Sequence, residues 1–143
     1  MITEDYINFE TAKLLKKKGF NEKCRYVYMP DGTRMAAQNF MEGEPFIDND
    51  DINSVAKYHD WIVYTQGDYA FLCPTVQMVM KWLREVHNIH LLLDPCFDKN
   101  DKVVYGVNVL DKELIGSLYE NLDDNTYEEA CEAAIKYCFE NLI

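Results

Sequence analysis

Apolar positions recur along this chain with a period near 3.6 in some stretches and near 2 in others, and the changes of period mark its elements. Residues 9–18, FETAKLLKKK, predict a first helix. Asn8 stands where an N-cap belongs. Gly19 stands where a left-handed residue ends a helix, with Phe20 folding back on Leu15. Residues 24–29, CRYVYM, are strand formers, and Pro30-Asp31-Gly32 is a turn signal. A return strand over about 33–38 would close a hairpin, although RMAAQ is a weak strand sequence. Residues 39–60, with Gly43, Pro45 and Asp48-Asn49-Asp50-Asp51, read as an irregular excursion with a short helix near 51–58. WIVYT at 61–65 and YAFLC at 69–73 read as strands around a TQGD turn.

Residues 74–88 predict the clearest helix, with Pro74 near its first turn. Met78, Trp82, Val86, Val79, Leu83, Val76, His87 and Met80 fill one wide arc of its wheel, which implies packing on more than one side. A strand over 89–93, a turn at Asp98-Lys99-Asn100-Asp101 and a strand over 103–110 predict an antiparallel hairpin. Over 111–122, Leu114, Ile115, Leu118 and Leu122 have helical spacing, which Gly116 weakens. A last helix over 127–142 starts at a Thr126/Glu129 capping box and buries Tyr127, Cys131, Ala134, Ile135, Cys138 and Leu142. The order is helix, hairpin, irregular segment, helix, hairpin, helix. The expected fold class is α+β: a small antiparallel sheet built from hairpins, packed against about three helices, in one domain over 1–143.

Composition narrows the function classes. The 143 residues are 48% hydrophobic, enough for a packed core, and carry a formal net charge of −11. No apolar run approaches the roughly 20 residues of a membrane helix, so no membrane association is expected. MITEDYINFE has no basic region followed by an apolar stretch, so a cytoplasmic location is expected. Five cysteines, odd in number and without a CxxC pair, read as reduced and mostly buried thiols. Residues 11–34 hold seven basic and two acidic side chains, whereas 91–143 hold four and twelve. A duplex would meet net repulsion over most of this surface, so nucleic acid is a disfavoured partner. The exception is the basic patch of Lys16, Lys17, Lys18, Lys23 and Arg25, which beside Tyr26 and Tyr28 offers a single-strand track; its plainer reading is a solvated helix end.

The residues with metal-ligating chemistry are His87, His90, Asp94 and Cys96. A helix ending between the two histidines, with Asp94 roughly 13 Å further along a strand, spreads them beyond one tetrahedral site. His87 and His90 are the remaining metal candidates. Cys73, ahead of the 74–88 helix, is a candidate nucleophile with His59 as its base, against a reading as a buried thiol. The acidic run from Asp48 lacks the Gly and Glu of a calcium loop, holding Asn53 and His59 there. No phosphate-cradling or nucleophile-elbow motif occurs, and no cofactor is expected. Among the ten tyrosines, Tyr26 or Tyr28, Tyr58, Tyr64 and Tyr69 are candidate interface residues, with sheet packing as the other reading.

Three segments carry a resemblance: Phe9-Glu10-Thr11-Ala12-Lys13-Leu14-Leu15 through Lys18-Gly19-Phe20; Pro74-Thr75 with Lys81-Trp82-Leu83-Arg84-Glu85 to His87-Asn88-Ile89-His90; and Tyr127-Glu128-Glu129-Ala130. Together they resemble a family of small acidic proteins from gut Bacteroidales, their phages and integrated elements, to which no activity is assigned. The resemblance covers under half of the chain and implies a cytoplasmic accessory protein of phage or mobile-element context. It transfers no catalytic or binding residue. The expected function is a non-enzymatic protein-interaction module, partnered by another protein or by its own copies through an open sheet edge. The alternatives are an enzyme or metal protein using His87, His90 or Cys73, nucleic-acid binding by the basic patch, and competition with DNA for a basic partner by the acidic stretches 42–51 and 120–132.

Overall fold

The computed structural model describes residues 2–58, 70–111, 117–119 and 126–143. The fold is α+β, and the described strands pair antiparallel. Among the described residues they form two three-stranded sheets, and the chain gathers into two compact units, 6–74 and 75–143 with the first five residues.

In the first unit, helix α1 (Phe9–Lys17) starts where Asn8 Oδ1 accepts from the Thr11 amide at 2.9 Å. It ends in a full Schellman stop: the Gly19 amide donates to Lys16 O, the Phe20 amide to Leu15 O, and Gly19 sits at φ +86°. The predicted stop forms, and Phe20 and Leu15 are both buried beside it. Strand β1 (Tyr26–Tyr28) turns through Pro30-Asp31-Gly32 into β2 (Arg34–Ala36). Asp31 Oδ1 accepts from the Thr33 amide at 2.9 Å, which holds the Asp31 carboxyl below its usual range, and Gly32 takes φ +88°. The weak return strand stops at Ala36, and a four-residue helix α2 (Ala37–Phe40) follows.

Helix α3 (Asn49–Tyr58) begins two residues before the expected 51–58. The acidic run is the reason. Asp48 Oδ1 accepts from the Asp51 amide and Asp51 Oδ2 from the Asp48 amide, each at 3.0 Å, a capping box built from two aspartates. What invited a calcium reading is a helix start. Strand β3 (Phe71–Cys73) pairs with β1, giving the order β2-β1-β3, with α1 packed on β3. The strand expected at 61–65 and the TQGD turn lie outside the described residues.

In the second unit, helix α4 (Val76–His87) is capped by Thr75, whose Oγ1 accepts from the Met78 amide at 3.1 Å. Pro74 therefore precedes the cap and is not in the first turn. Asn88 ends the helix in the left-handed region at φ 53°. Val76, Val79, Met80, Trp82 and Leu83 are buried, but Val86 is 59% exposed, so the buried arc is narrower than its apolar pattern. Strand β4 (His90–Phe97) runs four residues beyond the predicted end at 93, because Val103–Leu110, β5, matches it in full register from His90↔Leu110 to Phe97↔Val103. Asp98 closes the turn, its Oδ1 accepting from the Asn100 and Lys102 amides. Residues 117–119 form β6 (Ser117–Tyr119) on the other side of β5, a strand inside the stretch whose spacing is helical. Pairing with β5 outweighs the local period there.

Helix α5 (Tyr127–Asn141) has the predicted capping box, with the Glu129 amide donating to Thr126 Oγ1 at 3.1 Å. It packs on α4, β4 and β5. Its buried face is Ala130, Cys131, Ala134, Ile135, Cys138 and Phe139. Tyr127 and Leu142, assigned to that stripe from sequence, are only half-buried. Among the described residues, no helix is long and apolar enough to cross a membrane.

Candidate functional site

The β4–β5 hairpin is the surface of greatest interest. Its odd-numbered residues share one face: Leu91, Leu93, Pro95 and Phe97 on β4, opposite Val109, Val107, Tyr105 and Val103 on β5. Leu91, Val107 and Val109 are buried at the base of that face. Tyr105 meets Tyr127, the first residue of α5, edge-on at a centroid distance of 5.5 Å. Beyond that contact the apolar face continues, and its terminal pair Phe97↔Val103 is 74% and 41% exposed. The even face of β4 carries His90, Leu92, Asp94 and Cys96, all exposed. Asn108 Nδ2 donates to Asp94 Oδ2 there at 3.0 Å, and Leu92 is 46% exposed.

Among the described residues the hairpin has an open edge. β5 lies between β4 and β6, and no described strand pairs with the outer side of β4. An unpaired row of amides and carbonyls is a template for another strand. Sequence reasoning ended this strand at 93 and so missed the exposed Phe97. The signal available was the match of apolar positions across the Asp98–Asp101 turn.

The sequence-predicted residues are placed as follows. His87 is half-buried at the end of α4, its ring edge-on to Trp82 at 4.7 Å, with Nε2 buried and without a hydrogen-bond partner. His90 is exposed on β4, its Nε2 3.2 Å from Asn88 Oδ1. The helix ends between the two histidines, and among the described residues no group of three or more His, Cys, Asp or Glu stands close enough to hold a metal ion. Cys73 is fully buried on β3, its Sγ 3.8 Å from Ile7 O. His59, its suggested base, lies outside the described residues, as do Tyr64 and Tyr69. Tyr28 Oη donates to Ile7 O at 2.6 Å. The Tyr26 ring meets Tyr6 edge-on at 5.0 Å, with the Arg34 guanidinium 4.8 Å from its centroid. Tyr26 also lines a pocket of about 280 Å³ with Arg25, Ala36, Gln38 and Pro45.

Much of the basic patch is engaged within its own unit. Lys16 Nζ donates to Ala70 O at 3.3 Å, and Arg25 lies 5.7 Å from the Phe46 ring centroid. Lys23 Nζ lies 3.1 Å from Asp51 Oδ2, which raises the Lys23 pKa. Asp51 is held below its usual range first by the Asp48 amide and then by Lys23. A carboxyl lowered on folding adds stability above its unfolded pKa, and that stability is lost as pH falls through the folded value. Asp51→Ala is therefore expected to lower Tm at pH 7, and the gap to the native protein should close as the buffer is taken below the carboxylate range. Thermal denaturation across pH followed by circular dichroism checks this.

The thiols divide sharply. Burial pushes Cys24 and Cys138 up to about 12 and Cys131 up to about 11. Cys96 alone is exposed. An aromatic disulfide reagent should titrate one thiol in the native protein and five in denaturant, with Cys96→Ser removing the native reaction. Rapid labelling of two or more thiols would contradict the burial.

No family model, curated protein or solved structure matches this chain.

Proposed function

We propose that the protein acts by binding another protein, as a cytoplasmic accessory factor of phage or mobile-element context. The observation that supports this reading is the uncovered apolar end of the β4–β5 hairpin, where Phe97 and Val103 stand paired in solvent beside an open strand edge. Exposed large apolar groups cost free energy in water that a partner's surface recovers, at about 25 cal/mol per Å² covered. The phage and mobile-element setting rests on the resemblance of the α1, α4 and α5 segments. Catalysis through Cys73 would require a fully buried thiol to reach substrate. Nucleic-acid binding would require Lys16, Lys23 and Arg25 to leave their present contacts.

The test is capture from host and phage-infected lysates on the tagged protein, with and without nuclease, read by mass spectrometry. The expected result is a stoichiometric protein that survives nuclease and is lost with Phe97→Asp. An empty result in both lysates, or capture indifferent to Phe97→Asp, overturns the hairpin as the binding surface.

A further inference from the structure

We propose that the outer edge of β4 pairs with the same edge of a second copy of this chain, antiparallel, about a two-fold axis through Leu92. This rests on the protein-binding reading above and names one partner for it.

The hydrogen-bond phase of the hairpin sets which backbone groups face outward. The Asp98 amide donates to Lys102 O at 2.9 Å, so Asp98 and Lys102 are a bonded pair. Bonded and non-bonded pairs alternate along an antiparallel ladder. The even residues of β4 therefore bond to β5, and Leu91, Leu93, Pro95 and Phe97 turn their N–H and C=O outward. Pro95, opposite Tyr105, falls at a non-bonded position, where its missing N–H costs the ladder nothing.

The free stretch of that edge is short and symmetric. Pro95 bounds it at one end, with no N–H to give. Ile89 bounds it at the other, its amide already donated to Leu83 O at 3.0 Å. Between them lie the outward amides of Leu91 and Leu93, equally spaced about Leu92. Rotating a second copy about Leu92 sets Leu91 opposite Leu93, so the amides of these two residues on each chain meet outward carbonyls of the other. The two positions without a free amide, Ile89 and Pro95, then face each other. A shift of two residues either way sets Asp94 opposite Leu92 or Asn88 of the second copy and separates it from His90.

The side chains complement each other in the same register. His90 stands opposite Asp94 of the second copy, twice, so an imidazole N–H meets a carboxylate at each end. Leu92, half exposed on the chain alone, stands opposite its own copy across the axis. The chain carries a net charge of −11, so it meets itself most readily where acidic groups are few, and Asp94 is the single acidic residue of β4. Self-pairing over one strand gives a small isologous contact of the weak, transient class.

The test is sedimentation velocity of the purified chain from about 5 to about 500 µM, a range that populates a weak contact. A concentration-dependent dimer is expected. Leu92→Arg and His90→Asp should each raise its dissociation constant about tenfold or more, with native circular dichroism retained. The double exchange His90→Asp with Asp94→His should restore it, which a purely structural role for either residue would not do. A chain monomeric at every concentration, or a dimer indifferent to Leu92→Arg and His90→Asp, overturns the proposal. If the monomer still captures a nuclease-resistant protein through Phe97, the second-copy assignment fails while the protein-binding reading stands.

Discussion

Phe139→Ala should destabilise the chain by about 3–5 kcal/mol, the usual cost of emptying a large buried aromatic site. Phe139 lies near the end of α5, buried, with its ring edge-on to Trp82 at a centroid distance of 6.3 Å. Edge-to-face aromatic pairs add about 0.5–1.5 kcal/mol beyond the area they bury. The truncation removes that pairing and leaves a void where α5 packs on α4. Urea denaturation followed by tryptophan fluorescence reports the loss, because Trp82 is itself in the contact. Leu142→Ala provides the contrast. Leu142 is half-buried at the C-cap and should cost well under half as much. Equal losses at the two positions would show that the sequence-derived stripe, with Leu142 inward, describes the packed face better than the structure does.

Phe20→Ala should cost a similar amount, about 3–5 kcal/mol, by a different route. Phe20 is buried immediately after the Gly19 stop of α1, and its amide completes that stop on Leu15 O. Its carbonyl accepts from Asn49 Nδ2 at 2.9 Å, and the neighbouring Asn21 Oδ1 accepts from the Asn49 amide at 2.7 Å. The end of α1 and the start of α3 are thus joined by hydrogen bonds next to a buried phenyl ring. Losing the ring opens a cavity in the packed interior. Gly19→Ala separates backbone from packing. No atom would crowd a Cβ at Gly19, so its cost is confined to the left-handed backbone, about 1–2 kcal/mol. Chemical denaturation of both variants should rank Phe20→Ala well above Gly19→Ala. The reverse order would place the energy of this stop in the backbone.

The β4–β5 hairpin shows how far the candidate site was legible. Both strands and the Asp98–Asp101 turn follow from alternation and turn chemistry. The exposed end does not, because Asp94, Pro95 and Cys96 are poor strand residues and they conceal the extension to Phe97. Pairing with Val103–Leu110 holds them in the ladder despite their propensity. The histidines were legible as a separated pair, since the end of α4 between them is marked by Asn88. The capping role of Asp48 and Asp51 was also local, but a run of acids suggests metal before it suggests a helix start.

The sequence by itself determined the α+β class, the boundaries of α1 with its glycine stop, the turn at Gly32, and the start of α5 at Thr126. Each rests on groups within about five residues of one another, where side-chain oxygens meet orphan amides and glycine permits positive φ. Tertiary structure alone decided that β3 joins β1, that residues 117–119 form a strand, that Val86 is exposed, and that Phe139 turns inward while Leu142 does not. Those outcomes depend on which distant surface reaches each residue. A local pattern records that a side chain is apolar, and only the packed neighbours decide whether it is covered.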